Sequence, residues 1–388
     1  MNTKSYMAKL CAVMGKSSQK TLKIGIVFDD SLDKPDGVQQ YILDVGKWLT
    51  AQGHEVHYLV GQTVRTDIPH IHSLSRNFKV SFNGNQLSIP LPTSRRILNQ
   101  LLSREQFDVL HVQMPYSPWL AARIINAAPI GTTIIGTFHI VAYSRLVQFA
   151  TRLLAIWTQR SLRRFSHIVS VSAAAQDYAL ATYRVASTVL PNVIDYQRFA
   201  SAQPFLAALP KTQLRVLFLG RLVERKGCRY LLEATKLVIA QGITNFEVVI
   251  CGKGPLLSEL QAYSERHSLP VSFAGFVSEA DKPGYYASAD IAVFPSTGGE
   301  SFGIVLIEAM ANGQTAVLAA ANSGYASVMD SRPDLLFPTS DSQALAKLLQ
   351  LFLEDAEKRR AAAAWGRAYS PQFDAAIVGE QLISLYRS

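Results

Sequence analysis

A glycine-rich segment carries two carboxylates in a pattern suited to a phosphorylated, hydroxyl-rich ligand. Residues 298–303 read GGESFG, an apolar helical pattern follows, and Glu300 and Glu308 are separated by seven residues. Glycines keep such a turn open and bring the N–H groups of a helix start against an anion. The carboxylates can accept hydrogen bonds from sugar or ribose hydroxyls. The alternative is a plain loop with a solvated Glu300 and a capping Glu308.

A basic loop, GRLVERKG at 220–227, is the second candidate because it follows an apolar run and opens a helical pattern. Ligands of open α/β sheets bind outside the carboxyl ends of strands. Arg221 and Lys226 are therefore candidates to bind a diphosphate, the first through its guanidinium fork and the second as a point charge. Taken alone, the loop reads as a solvated turn; its pairing with the glutamate loop favours phosphate binding.

Two further residues follow apolar runs in the first half of the chain. His139 comes after the run 132–138, before a chain reversal, so we expect its side chain in a cleft between two domains. The alternative is that His139 is structural, with its ring nitrogens hydrogen-bonded within the fold. Gly37, in PDGVQ, would place another helix start at the same cleft.

The elements that would position these residues alternate between strand and helix. In the first half, strands are predicted at 23–28, 55–60, 108–112, 132–138 and 167–171, and helices at 38–51, 118–127 and 145–165. The pattern lapses around 190–210. A second series has strands at 215–218, 246–251, 271–274 and 291–294, with helices at 228–241 and 372–386.

Such alternation predicts parallel sheets covered on both faces, here in two α/β domains. The predicted division is a tail at 1–21, a domain at 22–196, a second domain at 197–370, and a C-terminal helix at 371–388 that packs toward the first domain. The chain has 388 residues, of which 48% are hydrophobic and 17% charged, which is enough apolar material for two cores.

Cysteine usage and hydropathy indicate a cytoplasmic protein. Cys11, Cys228 and Cys251 lack metal-type spacing and cannot all pair, which favours a reducing compartment. No run reaches the roughly 18 apolar residues of a membrane span, and residues 1–20 lack a compact apolar signal region.

The net charge of +9 is concentrated in the first half. Residues 1–195 contain 20 Lys and Arg against 11 Asp and Glu, whereas the remainder contains 18 of each. Between Asp108 and Asp177 there is no acidic residue. The arginines inside that interval are Arg123, Arg145, Arg152, Arg160, Arg163 and Arg164. Such a field attracts anionic surfaces or ligands.

The predicted helix 145–165 places three of these arginines, Arg145, Arg152 and Arg163, in one stripe at about 100° per residue. Apolar residues flank the stripe, namely Leu146, Phe149, Leu153, Ile156 and Trp157. With Arg95 and Arg96 nearby in sequence, this pattern predicts peripheral docking on anionic membrane. The alternative is a core helix whose arginines are solvated.

A series of short strings also matches one enzyme family in order and spacing. They are PDGVQ, FDVLHVQMP, GTFH, VSVS, LPNVID, FLGRLVERKG, CGKG, GFVSEADK and GGESFGIVLIEAMANG. From about residue 23 to the last helix, the chain resembles the retaining glycosyltransferases of family 4 and is most similar to the phosphatidylinositol mannosyltransferases. The resemblance implies the GT-B fold, in which two Rossmann-like domains face each other across a cleft.

The resemblance also implies roles for individual residues. Glu308 would hold the ribose. Glu300 and the backbone that follows it would hold the donor sugar. The implied catalytic residues are His139 at the reaction centre, Arg221 and Lys226 on the diphosphate, and Glu300. The implied donor-binding residues are Gly37, Gly220, Arg225, Val277, Lys282, Gly299, Ser301, Phe302, Gly303 and Glu308. The segment 275–282 matches the part around a guanine base, which points to GDP-mannose.

Three departures from the family pattern leave the donor strings intact. Asp36 stands where a second glycine is usual, which would set a carboxylate near the phosphate or the acceptor. Val193 replaces the glycine that commonly follows LPN. Residues 323–338 lack the usual glycine-rich and acidic pattern.

The leading hypothesis is a retaining transfer of mannose, or another hexose, from GDP-mannose to a lipid such as a phosphatidylinositol at the inner membrane face. No metal or other cofactor is expected, because Arg221, Lys226 and the helix start at Gly303 supply positive charge and no Asp-x-Asp string occurs. One alternative is a UDP-sugar donor or a soluble saccharide acceptor. Another is a non-catalytic sugar-nucleotide-binding protein. No nucleic-acid partner is expected.

Overall fold

The computed structural model describes residues 20–33, 37–82, 85–142, 145–210 and 212–388. Cys11 and Asp36, which figure in the sequence expectations, lie outside these ranges. The described chain forms two compact units. We call them the N-terminal unit, residues 20–193 with Ala375–Ser388, and the C-terminal unit, Ile194–Asp374.

The N-terminal unit is built on a parallel sheet in the order β3-β2-β1-β6-β7-β8-β9. Its strands are β1 (Lys23–Phe28), β2 (Glu55–Val60), β3 (Ile71–Ser73), β6 (Val109–Val112), β7 (Thr133–Phe138), β8 (His167–Ser170) and β9 (Thr188–Val189); β4 (Asn77–Phe82) and β5 (Asn85–Pro90) form an antiparallel hairpin. Every residue of β1 after Lys23 is buried, as expected for a strand covered on both faces.

Helices pack on both sides of this sheet. They are α1 (Gly37–Ala51), α2 (Arg95–Glu105), α3 (Leu120–Ala127), α4 (Arg145–Leu162) and α5 (Ala173–Tyr183). Helix α1 shares a core cluster with β1, β2 and the last helix of the chain, whereas α2 and α3 belong to a second cluster with Val27, Leu59 and Leu110.

The C-terminal unit repeats the plan with a parallel sheet in the order β12-β11-β10-β13-β14-β15. Its strands are β10 (Leu214–Leu219), β11 (Phe246–Cys251), β12 (Val271–Gly275), β13 (Ile291–Phe294), β14 (Ala316–Ala320) and β15 (Leu336–Phe337). Its helices are α6 (Tyr196–Ala200), α7 (Cys228–Ala240), α8 (Leu257–Arg266), α9 (Lys282–Ala287), α10 (Ile304–Ala311), α11 (Ser323–Val328), α12 (Ser342–Glu354) and α13 (Ala356–Tyr369).

The last helix, α14 (Ala375–Arg387), belongs to the N-terminal unit. Its Val378 and Leu382 join the core cluster of α1. Gly379 permits the close approach, since a Cβ there would lie 2.4 Å from the ring of Trp48. The chain therefore leaves the N-terminal unit at Val193 and returns to it at Ala375.

Strand order fixes where ligands can bind. β1 lies between β2 and β6, and β10 lies between β11 and β13, so the order reverses beside each of these first strands. Ligands of open α/β sheets bind at this switch point, outside the carboxyl ends of the strands. The loops after β1 and β6, and those after β10 and β13, therefore form the ligand edge of each unit.

The two α/β units confirm the predicted fold class. β1, β2, β11 and β13 have the predicted bounds, and the other predicted strands differ by one residue at one or both ends. β3, β4, β5, β9, β14 and β15 were not predicted. The last helix begins at Ala375, later than the predicted 372, because Ser370–Phe373 forms a 3-10 turn. None of the helices in the described part of the chain is long and apolar enough to cross a bilayer.

Candidate active site

The basic loop and the glutamate loop of the C-terminal unit are joined directly. β10 pairs with β13, so the loops that follow them start side by side. The Thr297 N–H donates to the carbonyl oxygen of Arg225 at 2.8 Å, and Ser296 Oγ lies 2.9 Å from the same oxygen. Gly227 has φ of 70°, and a Cβ there would lie 2.0 Å from the carbonyl oxygen of Pro295. Only glycine allows this approach.

Glu300 is the centre of the polar cluster that results. Its Oε1 accepts hydrogen bonds from Lys226 Nζ, Arg225 Nη1 and Ser296 Oγ, each at 2.8 Å. Burial alone would raise the pKa of this carboxyl, but Lys226 and Arg225 lower it to about 2. The carboxylate is therefore ionised, and two cations share one anion.

The helix start beside Glu300 has no side-chain cap. Gly303 precedes α10 with φ of 105°, and a Cβ there would lie 2.5 Å from the Tyr325 ring. The helices that begin after Asn322, Asp341 and Asp355, by contrast, are capped by those side chains. An uncapped helix start directs N–H groups and a positive dipole end at an anion.

A third loop closes on the same cluster. Asn322, after β14, donates from Nδ2 to the carbonyl of Ser296 at 2.9 Å and caps α11 by accepting from Tyr325 N–H at 3.0 Å. Gly324 lies so close that a Cβ would be 2.2 Å from the Glu300 carbonyl oxygen. The segment 323–338 thus has a glycine, Gly324, at the position where its backbone approaches that of Glu300. Sequence reasoning missed Ser296 and Asn322, although a polar residue just after a strand was the available signal.

Glu308 lies on α10, 1% exposed, in a buried ionic network. Its Oε1 accepts from Lys282 Nζ at 2.9 Å and its Oε2 from the Tyr286 hydroxyl at 3.2 Å, while Lys282 also contacts Glu279 Oε2 at 2.8 Å. Burial would lower the pKa of Lys282, but the two carboxylates hold it above its usual value. Two residues predicted to bind the donor are therefore partners of each other.

The other residues predicted for donor binding lie in the same loops or at their ends. Arg221 is half-buried and opens the basic loop. Gly220 is in close contact with Gly252, since a Cβ at Gly252 would lie 1.9 Å from the Gly220 carbonyl oxygen. Val277, Gly299 and Ser301 are half-buried. Phe302 is buried and packs edge-on against Phe373, with ring centroids 5.6 Å apart.

In the N-terminal unit, His139 follows β7 at the ligand edge. Its Nε2 lies 2.9 Å from Gln113 Oε1, and the Tyr41 ring packs edge-on at a centroid distance of 5.0 Å. Burial lowers the pKa of His139 to about 3, so the imidazole is neutral. Gly37 is the exposed first residue of α1, after β1. The structure thus places both residues at the carboxyl edge of their own sheet.

A buried aspartate follows β1 at the same edge. Asp29 accepts hydrogen bonds from the Ser117 hydroxyl and, at 2.8 Å, from the Ala121 N–H at the start of α3. Burial raises its pKa to about 6 despite these bonds. Asp29 was not among the predicted residues.

The arginines predicted to meet a membrane lie on two helices. Arg95 and Arg96 are exposed at the start of α2, and Arg152 and Arg163 are exposed on α4 and just beyond it. Arg145 is the first residue of α4, but its side chain lies outside the described part.

One group in the described chain has the composition of a cation site. Ligand atoms of His57, His72 and Glu105 lie within 4.8 Å of one another, near the amino ends of β1 and β2 and so away from the ligand edge. His57 Nδ1 lies 2.9 Å from His72 Nε2, and Lys23 Nζ lies 2.7 Å from Glu105 Oε2. The protein's own side chains thus satisfy these atoms.

Comparison with known proteins identifies the family. Residues 35–198 match the model described as Glycosyltransferase Family 4, and residues 201–368 the model described as Glycosyl transferases group 1. Phosphatidyl-myo-inositol mannosyltransferase of Mycolicibacterium smegmatis is 31% identical over 95% of this chain and 94% of that protein. The chain is a family 4 glycosyltransferase. The same-named protein of Mycobacterium tuberculosis matches this glycosyltransferase at 31% identity, over 95% of the chain and 97% of that protein.

A more distant relative and two solved structures extend the comparison. The GDP-mannose-dependent monoacylated alpha-(1-6)-phosphatidylinositol monomannoside mannosyltransferase of Corynebacterium glutamicum is 26% identical over 96% of the chain and 99% of that protein. Sucrose-phosphate synthase from Thermosynechococcus elongatus superimposes with a TM-score of 0.72 at 21% identity, covering 94% and 98% of the two chains. WaaG, a glycosyltransferase involved in lipopolysaccharide biosynthesis, superimposes with a TM-score of 0.70 at 18% identity, covering 93% of this chain and 99% of that chain. The glycosyltransferase has the predicted GT-B fold.

Proposed function

We propose that this glycosyltransferase transfers mannose from GDP-mannose to a phosphatidylinositol-type lipid and retains the anomeric configuration. The observation that carries the proposal is the match to proteins named phosphatidyl-myo-inositol mannosyltransferase along nearly the whole chain. The glutamate-centred cluster supports it chemically, because it gathers positive charge at the ligand edge of the C-terminal unit.

The cluster suits a nucleoside diphosphate. Lys226 and Arg225 share the single negative charge of Glu300, which leaves one net positive charge in the cluster. The same loop adds the guanidinium of Arg221 and the exposed carboxylate of Glu224. The uncapped start of α10 adds N–H donors. Charge fixed in this way stabilises a diphosphate leaving group as its negative charge grows, without reorganisation during the reaction. We expect the acceptor hydroxyl to attack from the face that the diphosphate leaves.

An exposed aromatic ring just after β12, at the carboxyl edge of the same sheet, supports a donor with a planar base. Phe276 is 56% exposed, and the Lys253 ammonium lies 5.8 Å from its ring centroid. A base can stack on such a ring, and a lysine can donate to its carbonyl oxygen. Phe276 belongs to the segment that the family resemblance assigns to guanine.

The deciding experiment compares donors and acceptors directly. We expect GDP to raise the unfolding temperature more than UDP does, since stabilisation follows preferential binding to the folded state. We also expect labelled mannose from GDP-mannose to enter the lipid fraction when phosphatidylinositol vesicles are present. Preferential stabilisation by UDP, or labelled product only with a soluble saccharide, would replace the proposed donor or acceptor. Binding without hydrolysis or transfer would indicate a non-catalytic protein.

A docking surface on α4 supports a lipid acceptor, and we include membrane binding in the proposal. The exposed face of the helix carries four large apolar side chains, Phe149, Leu153, Ile156 and Trp157, which are 53–79% exposed. The exposed arginines Arg152, Arg160 and Arg163 lie between them. At about 100° per residue all seven fall within one arc of about 140°.

The opposite face of α4 packs inward. Ala155 and Leu162 join the core with Tyr178, and Arg164 turns inward to donate to the carbonyl oxygens of Ile125 at 2.6 Å and Ala128 at 3.0 Å. The helix is therefore anchored on one face and presents aromatic and cationic groups on the other. Such a face seats its apolar side chains at the headgroup boundary while arginines reach lipid phosphates.

We expect the protein to co-sediment with vesicles containing anionic lipid and less with neutral vesicles or in high salt. Each basic group near an anionic surface contributes about 1 kcal/mol, and salt screens it. Changing Arg152, Arg160 and Arg163 to glutamine should lower the fraction of the protein that co-sediments with the anionic vesicles. The matched control changes Lys236, Lys347 and Arg360, exposed residues of the C-terminal unit, to glutamine. Equal recovery on neutral and anionic vesicles, or equal loss in both triple variants, would discard this surface.

A further inference from the structure

Two polar pairs bridge β6 and β7 beneath the ligand edge of the N-terminal unit. His111 Nε2 lies 2.7 Å from Thr137 Oγ1, and Gln113 Oε1 lies 2.9 Å from His139 Nε2. Both pairs join residues 26 positions apart, so the second repeats the first two residues further along. His111 and Thr137 lie on the neighbouring parallel strands β6 and β7, and Gln113 and His139 are the first residues after those strands. Period-two spacing puts all four side chains on one face of the sheet.

The lower pair is anchored by the last helix and the upper pair is not. The Tyr386 hydroxyl of α14 lies 2.8 Å from His111 Nδ1, so both nitrogens of that ring are occupied. Tyr41 of α1 packs edge-on against both histidines, at 6.5 Å from His111 and 5.0 Å from His139. Among the described residues, His139 contacts the Tyr41 ring and Gln113.

Gln113 carries an unusual feature for a buried amide. The side chain is 1% exposed, and its Nε2 has no hydrogen-bond partner among the described residues. An unpaired buried donor destabilises a fold, and an apolar residue of the same shape would remove the penalty. This amide contacts the candidate reaction-centre histidine, so a role in holding that ring accounts for a polar side chain at this buried position.

We propose that Gln113 is a positioning residue that holds the His139 ring in one orientation and one tautomer. The proposal rests on the proposed function and on the place at the reaction centre that the family resemblance implies for His139. The amide oxygen faces the ring and can only accept, so the contact is a hydrogen bond when His139 carries its proton on Nε2. A neutral ring with Nε2 protonated has an unprotonated Nδ1, which is then an acceptor for a hydroxyl of the donor sugar or of the acceptor. Without Gln113 the ring can turn and exchange tautomers.

Two substitutions separate positioning from packing. Gln113→Met keeps the approximate shape of the side chain. It removes both the hydrogen bond to His139 and the unpaired Nε2 donor. We expect turnover to fall about 10- to 100-fold, as for a displaced catalytic group, with stabilisation by nucleotide unchanged and the unfolding midpoint equal to or above that of the wild type. Nitrogen NMR of the imidazoles should show His139 losing its single tautomer.

Gln113→Glu keeps the accepting oxygen but adds a negative charge beside the ring. A carboxylate stabilises the imidazolium, so it raises the pKa of His139 from the low value that burial imposes. We expect near-normal turnover at high pH and a new acid limb in the pH profile as His139 becomes protonated. Tyr183→Phe is the matched control, since Tyr183 is buried in the same unit and its hydroxyl also has no hydrogen-bond partner among the described residues.

Activity is measured with whichever donor and acceptor the wild type turns over. If the wild type does not transfer mannose to phosphatidylinositol, the proposed function is rejected, but the comparison of the Gln113 variants with the wild type is still valid. The NMR measurement needs no turnover at all. Wild-type turnover in Gln113→Met, or an unchanged His139 tautomer, overturns the positioning role. A lowered unfolding midpoint accompanying the lost turnover also overturns it, because Gln113 would then be structural.

Discussion

Replacing Lys226 with alanine is expected to lower turnover by about 100- to 1,000-fold, the range seen when a fixed electrostatic group is removed from an active site. Affinity for the nucleotide sugar should fall much less. Charge on the diphosphate grows toward the transition state, so a cation placed against it contributes more there than in the ground state. The ratio of the effects on kcat and on donor binding reports this difference.

The local geometry predicts that the Lys226→Ala protein folds. Glu300 keeps two of its three donors, Arg225 and Ser296, and remains in the loop they define. Lys236→Ala, an exposed change on α7, is the control for lysine loss in the same unit. Wild-type kcat in the Lys226 variant would show that the ammonium serves only to hold Glu300.

The parts of the site that the sequence predicts well are those set by short segments. The run 246–251 is apolar except for Glu247, and the structure has a strand with those bounds. The glutamate loop and the basic loop were each visible as glycines, charges and a following helix. Strand order then explains why they meet, because β10 and β13 are neighbours in the sheet although their first residues, Leu214 and Ile291, are 77 positions apart in the sequence.

The parts that were missed depend on tertiary contact. β14, AVLAA, is rich in alanine, which favours helices, and only burial between β13 and β15 makes it a strand. Because β14 was missed, Asn322 at its end was not recognised. Lys282 was predicted from the resemblance alone, and no local pattern indicates that its ammonium lies against Glu308, 26 residues away.

The Lys282 and Glu308 pair changes what a substitution at Glu308 measures. Glu308→Ala is expected to weaken nucleotide-sugar binding, and also to destabilise the C-terminal unit by about 3–5 kcal/mol, the usual penalty for leaving a buried charge without its partner. Glu279 still contacts the lysine, which places the expected loss toward the lower end of that range. A binding defect in this variant alone therefore does not distinguish a ribose contact from local unfolding.

Restoring charge balance separates the two effects. In the double variant Glu308→Leu with Lys282→Met, both members of the buried pair are replaced by apolar side chains of similar volume, and Glu279 keeps its ion pair with Arg198 at 4.0 Å. Such replacements are often neutral or stabilising. We expect the pair to couple strongly, so that the double variant is more stable than the sum of the single changes predicts. Hydrogen exchange in α9 and α10 measures this effect locally, in the helices that carry the two substitutions.

Nucleotide binding in the double variant decides the role of Glu308. Its Oε2 has the longer contact, 3.2 Å to the Tyr286 hydroxyl, and so is the oxygen better able to accept a ribose hydroxyl. If Glu308 holds the ribose, the double variant regains protection from exchange but still binds GDP more weakly than the wild type does. The loss should be smaller for the corresponding deoxyribonucleotides, which lack one of the two hydroxyls. Wild-type affinity for GDP in a stable double variant would make Glu308 and Lys282 a structural pair and leave the ribose to other groups.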